Sequence, residues 1–471
     1  MSQPQPYPLE VTRALLDCAR DARFDFGDDT AFVAVQHMLR QTVDLLHAVI
    51  AMGVSPKNIF ALGKVYSNSF PVMRTLRDLG VTVVDTTVPE PGEFHCFFQR
   101  DVNTLWQVAA ERLADRRIKR IIVLDDGGVC IISVPPEILR RYMVCGVEQT
   151  TRGMFLFEET PPPFAVIAWA RAAVKLEIAG PIFSQYLIEK VATEFLRGSL
   201  QRDRIGIIGL GSIGRGVANL LGRQGKQIFF YDSNADVYVP AWLRNRITRL
   251  QTLEELMLVC DCVLGCSGRN PFRDHWPMNH RPGVKLLSGS SGDQEFGPII
   301  RDLKQKPHFN VVSNTWDIVS EHGPSGPIRI AYLGYPYSFV SRATEAVPTR
   351  IVQVDSGGLL AALIQARLFL ELCEVGAEQN RGIHRVTPKA QRFVYERWAR
   401  TMKDRMIDIT DRYGYDPHLP SALQHDDWFI ETTEPHPNER YRPVKSVENL
   451  MDQFVASSRL EVESQAHCGA L

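Results

Sequence analysis

Long apolar runs, an excess of either charge and paired cysteines are all scarce in this chain. Stretches such as FAVIAWA, Phe164 to Ala170, fall far short of the roughly 20 residues that a bilayer-spanning helix needs. The opening MSQPQPYPLE lacks the basic and apolar regions of a secretory signal. No membrane association is therefore expected. Lysine and arginine together number 53 against 54 aspartates and glutamates, a formal charge of −1, so the electrostatic footprint of a nucleic-acid binder is missing. Nine cysteines, an odd number scattered from Cys18 to Cys468, fit reduced thiols better than a disulfide framework. Cys260 and Cys262 read as strand residues, and no second cysteine or histidine pair stands at ligand spacing, so no metal site is expected. Together these features predict a cytoplasmic protein. What is present is core-forming material: 45% hydrophobic residues in a 471-residue chain, enough for two or three domains.

The first third alternates helical and extended patterns. A helix is expected near Phe32 to Met52, then the strand NIFALG, a helix over Phe70 to Leu79, the strand VTVVDT and a helix over Val102 to Leu113. The following RIIVLDDGG reads as a parallel strand ending in Asp125 and Asp126. Ligands of open α/β sheets bind at such carboxyl ends, which makes both aspartates site candidates; the alternative is that one of them caps the next turn.

Further along, RIGIIGLGSIGRGVANLL runs from Arg204 to Leu221, with Gly209, Gly211 and Gly214 at the G-x-G-x-x-G spacing of a dinucleotide-binding turn. The turn lets backbone amides approach a pyrophosphate, and the helix from about Ile213 points its positive end at it. The next strand, QIFFYD, ends in Asp232, about 20 residues past the first glycine, where an acid accepts from both ribose hydroxyls and repels a 2′-phosphate. NAD is expected rather than NADP. Thr252 and Glu255 form a capping-box pattern, and the strand CDCVLGCSG ends at Ser267 and Gly268, near the place of the nicotinamide half. VKLLSGSSGD, NVVSN, IRIAYLG and SFVSRA supply further strands, closing this region near Val347. A long amphipathic helix is expected from Ile351, packing back on the first region, and the chain after Thr387 is expected to be helical and charged before becoming irregular.

In order along the chain, HMLRQTVDLLHAVIAMG, LDDGG, GVEQTTRG, AAVKLEIAG, the glycine turn and GIHRVTPKA resemble the landmarks of the S-adenosylhomocysteine hydrolase family, over roughly Thr30 to Arg397. The resemblance implies an α/β protein of two doubly wound parallel-sheet domains. Residues 1–185, completed by 348–395, would bind substrate; 186–347 would form an inserted Rossmann NAD-binding domain; 396–471 would be a helical and irregular extension. It also implies a small nucleoside-like substrate and a homo-oligomer, tetramer or dimer. In that family tightly held NAD oxidises a nucleoside 3′-hydroxyl, a thiol leaves from the 5′ carbon, water adds and the ketone is reduced back. Lys175 falls on the family lysine that serves as base, its pKa lowered by burial, and His37 and Asp126 on its acid/base groups. Without the resemblance His37 reads as a capping or core histidine and Lys175 as a solvated charge. The expected NAD contacts are Gly209, Gly211, Ser212, Ile213, Gly214, Asp232, Thr150, Thr151, Ser267, Gly289 and Ser341.

Departures from the pattern bear on activity. Gln149 stands where the family has a glutamate and cannot take up a proton. Ala179 and Gly180 replace an aspartate and an asparagine, which leaves Lys175 without its orienting carboxylate, and Ser291 replaces a histidine. Leu39, Gln41 and Pro348 replace base-contacting residues. Authentic S-adenosylhomocysteine hydrolysis is therefore not expected. One expectation is an NAD-dependent enzyme that oxidises a secondary hydroxyl of another nucleoside-like or sugar-like substrate, completing an elimination, epimerisation or dehydrogenation. The alternative is a catalytically silent, NAD-occupied binding or assembly partner. An ordinary 2-hydroxyacid dehydrogenase would account for the glycine turn but not for the first half of the chain.

Overall fold

Runs such as Ile121–Leu124 are apolar at every position, the pattern of a parallel strand covered on both faces rather than of a half-solvated one. The computed structural model of the protein describes residues 10–114, 116–191, 203–313, 315–339, 349–375, 381–401 and 445–456. Among them the strands in chain order are β1 (Thr30–Val35), β2 (Ile59–Leu62), β3 (Thr82–Val84), β4 (Arg120–Asp125), β5 (Met143–Glu148), β6 (Ala165–Ala168), β7 (Ile205–Ile208), β8 (Ile228–Tyr231), β9 (Ile247–Arg249), β10 (Cys262–Gly265), β11 (Val284–Ser288), β12 (Asn310–Val312), β13 (Asp317–Gly323), β14 (Gly326–Ile330) and β15 (Gly382–Arg385).

They form two α/β sheets. The first is wholly parallel, in the order β15-β6-β5-β4-β1-β2-β3. Its side chains alternate between two cores: Phe32 and Ala34 enter one with the helices Glu10–Asp21 and Thr349–Glu374, while Ala31, Val33 and Val35 enter the other with the helix Phe94–Leu113. The second sheet runs β12-β13-β14-β11-β10-β7-β8-β9, parallel from β9 to β14 and antiparallel at β13. Both contain the doubly wound order 3-2-1-4-5-6, whose strand order reverses beside the first strand; ligand crevices open at that reversal. In the first sheet the crevice lies past the ends of β1 and β4, and in the second past β7 and β10.

Several local expectations are corrected. Phe32 to Val35 belong to β1, and the helix starts only at Arg40; a continuous apolar segment has no periodicity by which helix and buried strand are told apart. The helix expected from Val102 begins at Phe94. Cys260 ends the helix Leu253–Val259, so only Cys262 lies in a strand. Ser338 and Phe339, the start of the expected strand SFVSRA, belong to the 3-10 turn Tyr337–Phe339, and the rest of that strand lies outside the described residues. Val354–Glu374 is long and apolar enough to span a membrane by length and composition, yet 83% of its most apolar window is buried within the fold, as befits a central core helix.

Candidate active site

The loops leaving β1, β2 and β4 bring His37, Lys64 and Asp126 together at the first crevice. His37 Nε2 lies 3.3 Å from Asp126 Oδ2, and its Nδ1 lies 2.6 Å from Ser67 Oγ. Lys64 Nζ donates to the other oxygen of Asp126, and Gln149 Nε2 donates to Oδ2. Burial works against the Asp126 charge, but Lys64 and then His37 overcome it and hold the carboxyl well below the usual carboxylate range. Burial likewise disfavours charge on Lys64, and Asp126 reverses this and raises its pKa. For His37 burial prevails over the attraction of Asp126, so the pKa is lowered and the imidazole is neutral near pH 7. The ring of Phe339 stacks on that imidazole at 4.0 Å. Gln149 is buried, and its Oε1 has no hydrogen-bond partner among the described residues, leaving an acceptor open to a ligand N–H or O–H.

Lys175 stands beside this cluster, in a π-helical turn, Lys175–Ala179. Its Nζ donates to Asp355 Oδ1 at 2.6 Å, and Trp169 Nε1 donates to the same oxygen at 2.7 Å. Two expectations are corrected here. Lys175 has a carboxylate partner despite Ala179, supplied by the long helix rather than by its own, and its side chain is 25% exposed rather than deeply buried. Gly180 also has a steric reason: a Cβ there would lie 2.0 Å from Ser212 Oγ and displace the hydroxyl that donates to Leu176 O.

The second crevice is shaped for a dinucleotide. Gly209 has φ +85°, and a Cβ on it would press on Ser267 backbone at 2.6 Å; a Cβ on Gly214 would lie 2.0 Å from the Gly209 carbonyl oxygen. A Cβ on Gly211, by contrast, would meet nothing within 4 Å, so that glycine faces open space where a pyrophosphate fits. Ile213 lies on the helix Ser212–Arg223, partly buried against the domain core, and its carbonyl accepts from Ser184 Oγ at 2.9 Å. Asp232 reaches back to the turn, accepting from Leu210 N at 2.6 Å and from Asn234 N at 2.8 Å. Arg249, the cation beside this acid, is occupied by the carbonyls of Asp232, Asn234 and Ala235, which leaves the ribose end to the carboxylate. Ser212 donates its hydroxyl to Leu176 O, and Arg215 pairs with Glu177 at 3.1 Å; both dock the glycine turn onto the Lys175 segment.

Thr150 caps the helix Thr151–Glu159 through Gly153 N and donates to Glu148, whereas Thr151 is exposed. Gly289 N bonds to Gly265 O at 2.7 Å, aligning the ends of β10 and β11. Ser267 spends both its amide and its hydroxyl on Glu295, at 2.6 and 2.8 Å. Leu39 stands just before the helix Arg40–Ala51, with no capping side-chain bond, and Gln41 lies on that helix. Ser341 and Pro348 lie outside the described residues. Lys64, Ser67, Asp355 and Glu295 were not foreseen. The position of Lys64 just past β2, at a strand end like Asp126, was a signal available in the sequence; nothing local marked Asp355.

Residues 184–274 match the family described as D-isomer specific 2-hydroxyacid dehydrogenase, NAD binding domain. Two uncharacterized proteins of Mycobacterium tuberculosis, one from strain CDC 1551 / Oshkosh and one from strain H37Rv, are each 28% identical to the chain over 300 residues. The similarity covers 63% of this chain and 57% of theirs, so the chain spans about half the length of the curated relatives it matches. Glycine turn, acid and family match agree: the second sheet carries a Rossmann-type NAD-binding domain of the dehydrogenase kind, and NAD is its cofactor.

Proposed function

We propose that the protein is an NAD-dependent oxidoreductase that oxidises a secondary hydroxyl of a small nucleoside-like or sugar-like molecule. The observation that carries this reading is the docking of the Lys175–Asp355 pair against the NAD-binding turn through Ser212 and Arg215. Bound NAD supplies a hydride acceptor. The hydroxyl proton goes to Lys175 Nζ as that nitrogen passes one of its own to Asp355 Oδ1, to which it is bonded, and a substrate O–H donates to the open Gln149 Oε1. The ordered landmarks of the adenosylhomocysteinase pattern support the substrate class.

The elimination chemistry of that pattern is not supported. Asp126, held ionised by Lys64, can take a proton from carbon but has none to give a leaving group near neutral pH, and both ring nitrogens of His37 are engaged. Simple dehydrogenation, or its reverse, fits these groups best. The test is to incubate the NAD-loaded protein with a panel of nucleosides, sugars and 2-hydroxyacids and to follow reduced cofactor by its absorbance. Reduction by a nucleoside or sugar and not by hydroxyacids is the expected result; reduction by hydroxyacids alone would replace the substrate class. One observation favours a second reading, that of an NAD-occupied binding partner: Phe339 lies across His37. Reduction by no member of the panel would favour it.

A further inference from the structure

We propose that Asp125 and Glu148 form a carboxyl pair sharing one proton, and that this pair positions the two loops carrying Asp126 and Thr150. It goes beyond the oxidoreductase reading and rests on it only for the loops' role at the NAD site. Asp125 and Glu148 are register partners on the adjacent parallel strands β4 and β5, so their side chains leave the sheet on the same face. Both are completely buried. Asp125 Oδ2 accepts from Ile131 N at 2.9 Å. Glu148 Oε1 gathers Gly127 N at 3.1 Å, Thr150 N at 2.7 Å and Thr150 Oγ at 2.6 Å. One oxygen of each carboxyl remains, Asp125 Oδ1 and Glu148 Oε2, and neither has a partner among the described residues.

Two neighbouring carboxylates in a dry interior cannot both ionise without a bonded cation, and a proton held between the two leftover oxygens satisfies both. The facing groups supply no bonded cation. Lys64 is taken by Asp126, Asp126 is itself negative, and the Cys130 thiol is pushed up by burial and by Asp125. Burial raises Asp125 to about 7, and Glu148 is raised well above the carboxylate range by burial and then by Asp125. Gly153 closes the site from below, since a Cβ there would lie 2.2 Å from Glu148 Cδ.

The consequence reaches both ligand loops. Alternation sends the next residues, Asp126 and Gln149, to the opposite side, where they bond to each other. One carboxyl oxygen of Glu148 thus fixes the glycine turn after Asp126 and the Thr150 cap of the helix that opens toward the NAD cleft. The groups are positioning residues and touch no substrate.

The experiment compares wild type with Glu148→Gln, Asp125→Asn and Glu148→Ala, measuring bound NAD and melting temperature from pH 5 to 9. An amide keeps the acceptor oxygen and brings a permanent N–H donor in place of the shared proton. Wild type should lose melting temperature as pH rises from the ordinary carboxylate range through neutrality; each amide variant should show a flatter profile and bind NAD within about twofold of wild type. Glu148→Ala, which strands Gly127 N and Thr150 N, should weaken NAD by about tenfold. Amide variants whose pH profiles match wild type would overturn proton sharing. A folded Glu148→Ala with unchanged NAD affinity would overturn the positioning role, and should that variant not fold, loss of NAD from both amide variants would do the same. Wild-type protein binding no NAD at any pH would instead sink the cofactor reading, with the melting profiles still deciding the pair.

Discussion

Lys175 and Asp355 meet at 2.6 Å although 180 positions separate them in sequence. The pair makes the long helix a part of the candidate site rather than a packing element alone. Asp355→Asn removes the charge that holds Lys175 and keeps an acceptor for Trp169. Turnover should fall by about 10²–10⁴-fold, the usual effect of disabling a positioned acid or base, while bound NAD stays unchanged. Equal losses of turnover and NAD would place Asp355 in folding rather than in proton handling.

Lys64→Met should be strongly destabilising. It leaves Asp126 as a buried carboxylate with no bonded cation, a loss of about 3–5 kcal/mol in chemical denaturation. The double variant Lys64→Met/Asp126→Asn should recover part of that loss. A single variant as stable as wild type would show that the pair is open to water.

Two glycines of the same turn should fail differently. Gly211→Ala places a methyl in open space, so stability should stay within about 0.5 kcal/mol while NAD affinity drops. Gly214→Ala drives a methyl into the Gly209 carbonyl and should cost about 1–3 kcal/mol of stability before any cofactor is added. Melting curves with and without NAD separate the two effects.

Asp232→Ala removes the carboxylate at the end of β8 and should weaken NAD binding by about 1–3 kcal/mol, measured by titration calorimetry. NADP affinity should fall less, since the carboxylate opposes its extra phosphate.

Glu295 is buried among the serine donors Ser267, Ser288 and Ser290, and burial raises its pKa from 4.5 to about 7. The unfolded chain ionises this group first, so its contribution to stability is full below about pH 4.5 and is lost as pH rises through about 7. Glu295→Gln should flatten that part of the stability profile, as read from denaturant midpoints between pH 5 and 8. An unchanged slope would mean that Glu295 is ionised throughout.

Sequence alone determined what depends on local spacing. The glycine turn, the strand before it and the acid after it lie within one strand-helix-strand unit, and the buried strands β4 and β7 are legible as apolar runs ending in polar loops. It misread Phe32 to Val35 because a strand buried on both faces has no polar side to set a period. Only the tertiary structure decided which charges meet. Lys64 comes from the end of β2, Asp126 from β4 and His37 from β1, and their neighbourhood follows from the reversal of strand order, which no local pattern encodes. The loss of a carboxylate at Ala179 was readable; its replacement by Asp355 was not, because a helix stripe reveals which face is buried but not which charge on another element it meets. Burial then set the protonation: the same side-chain type is held ionised at Asp126 by a bonded lysine, and at Asp125 it is pushed toward the protonated form by burial that the more distant charge of Lys64 offsets only in part.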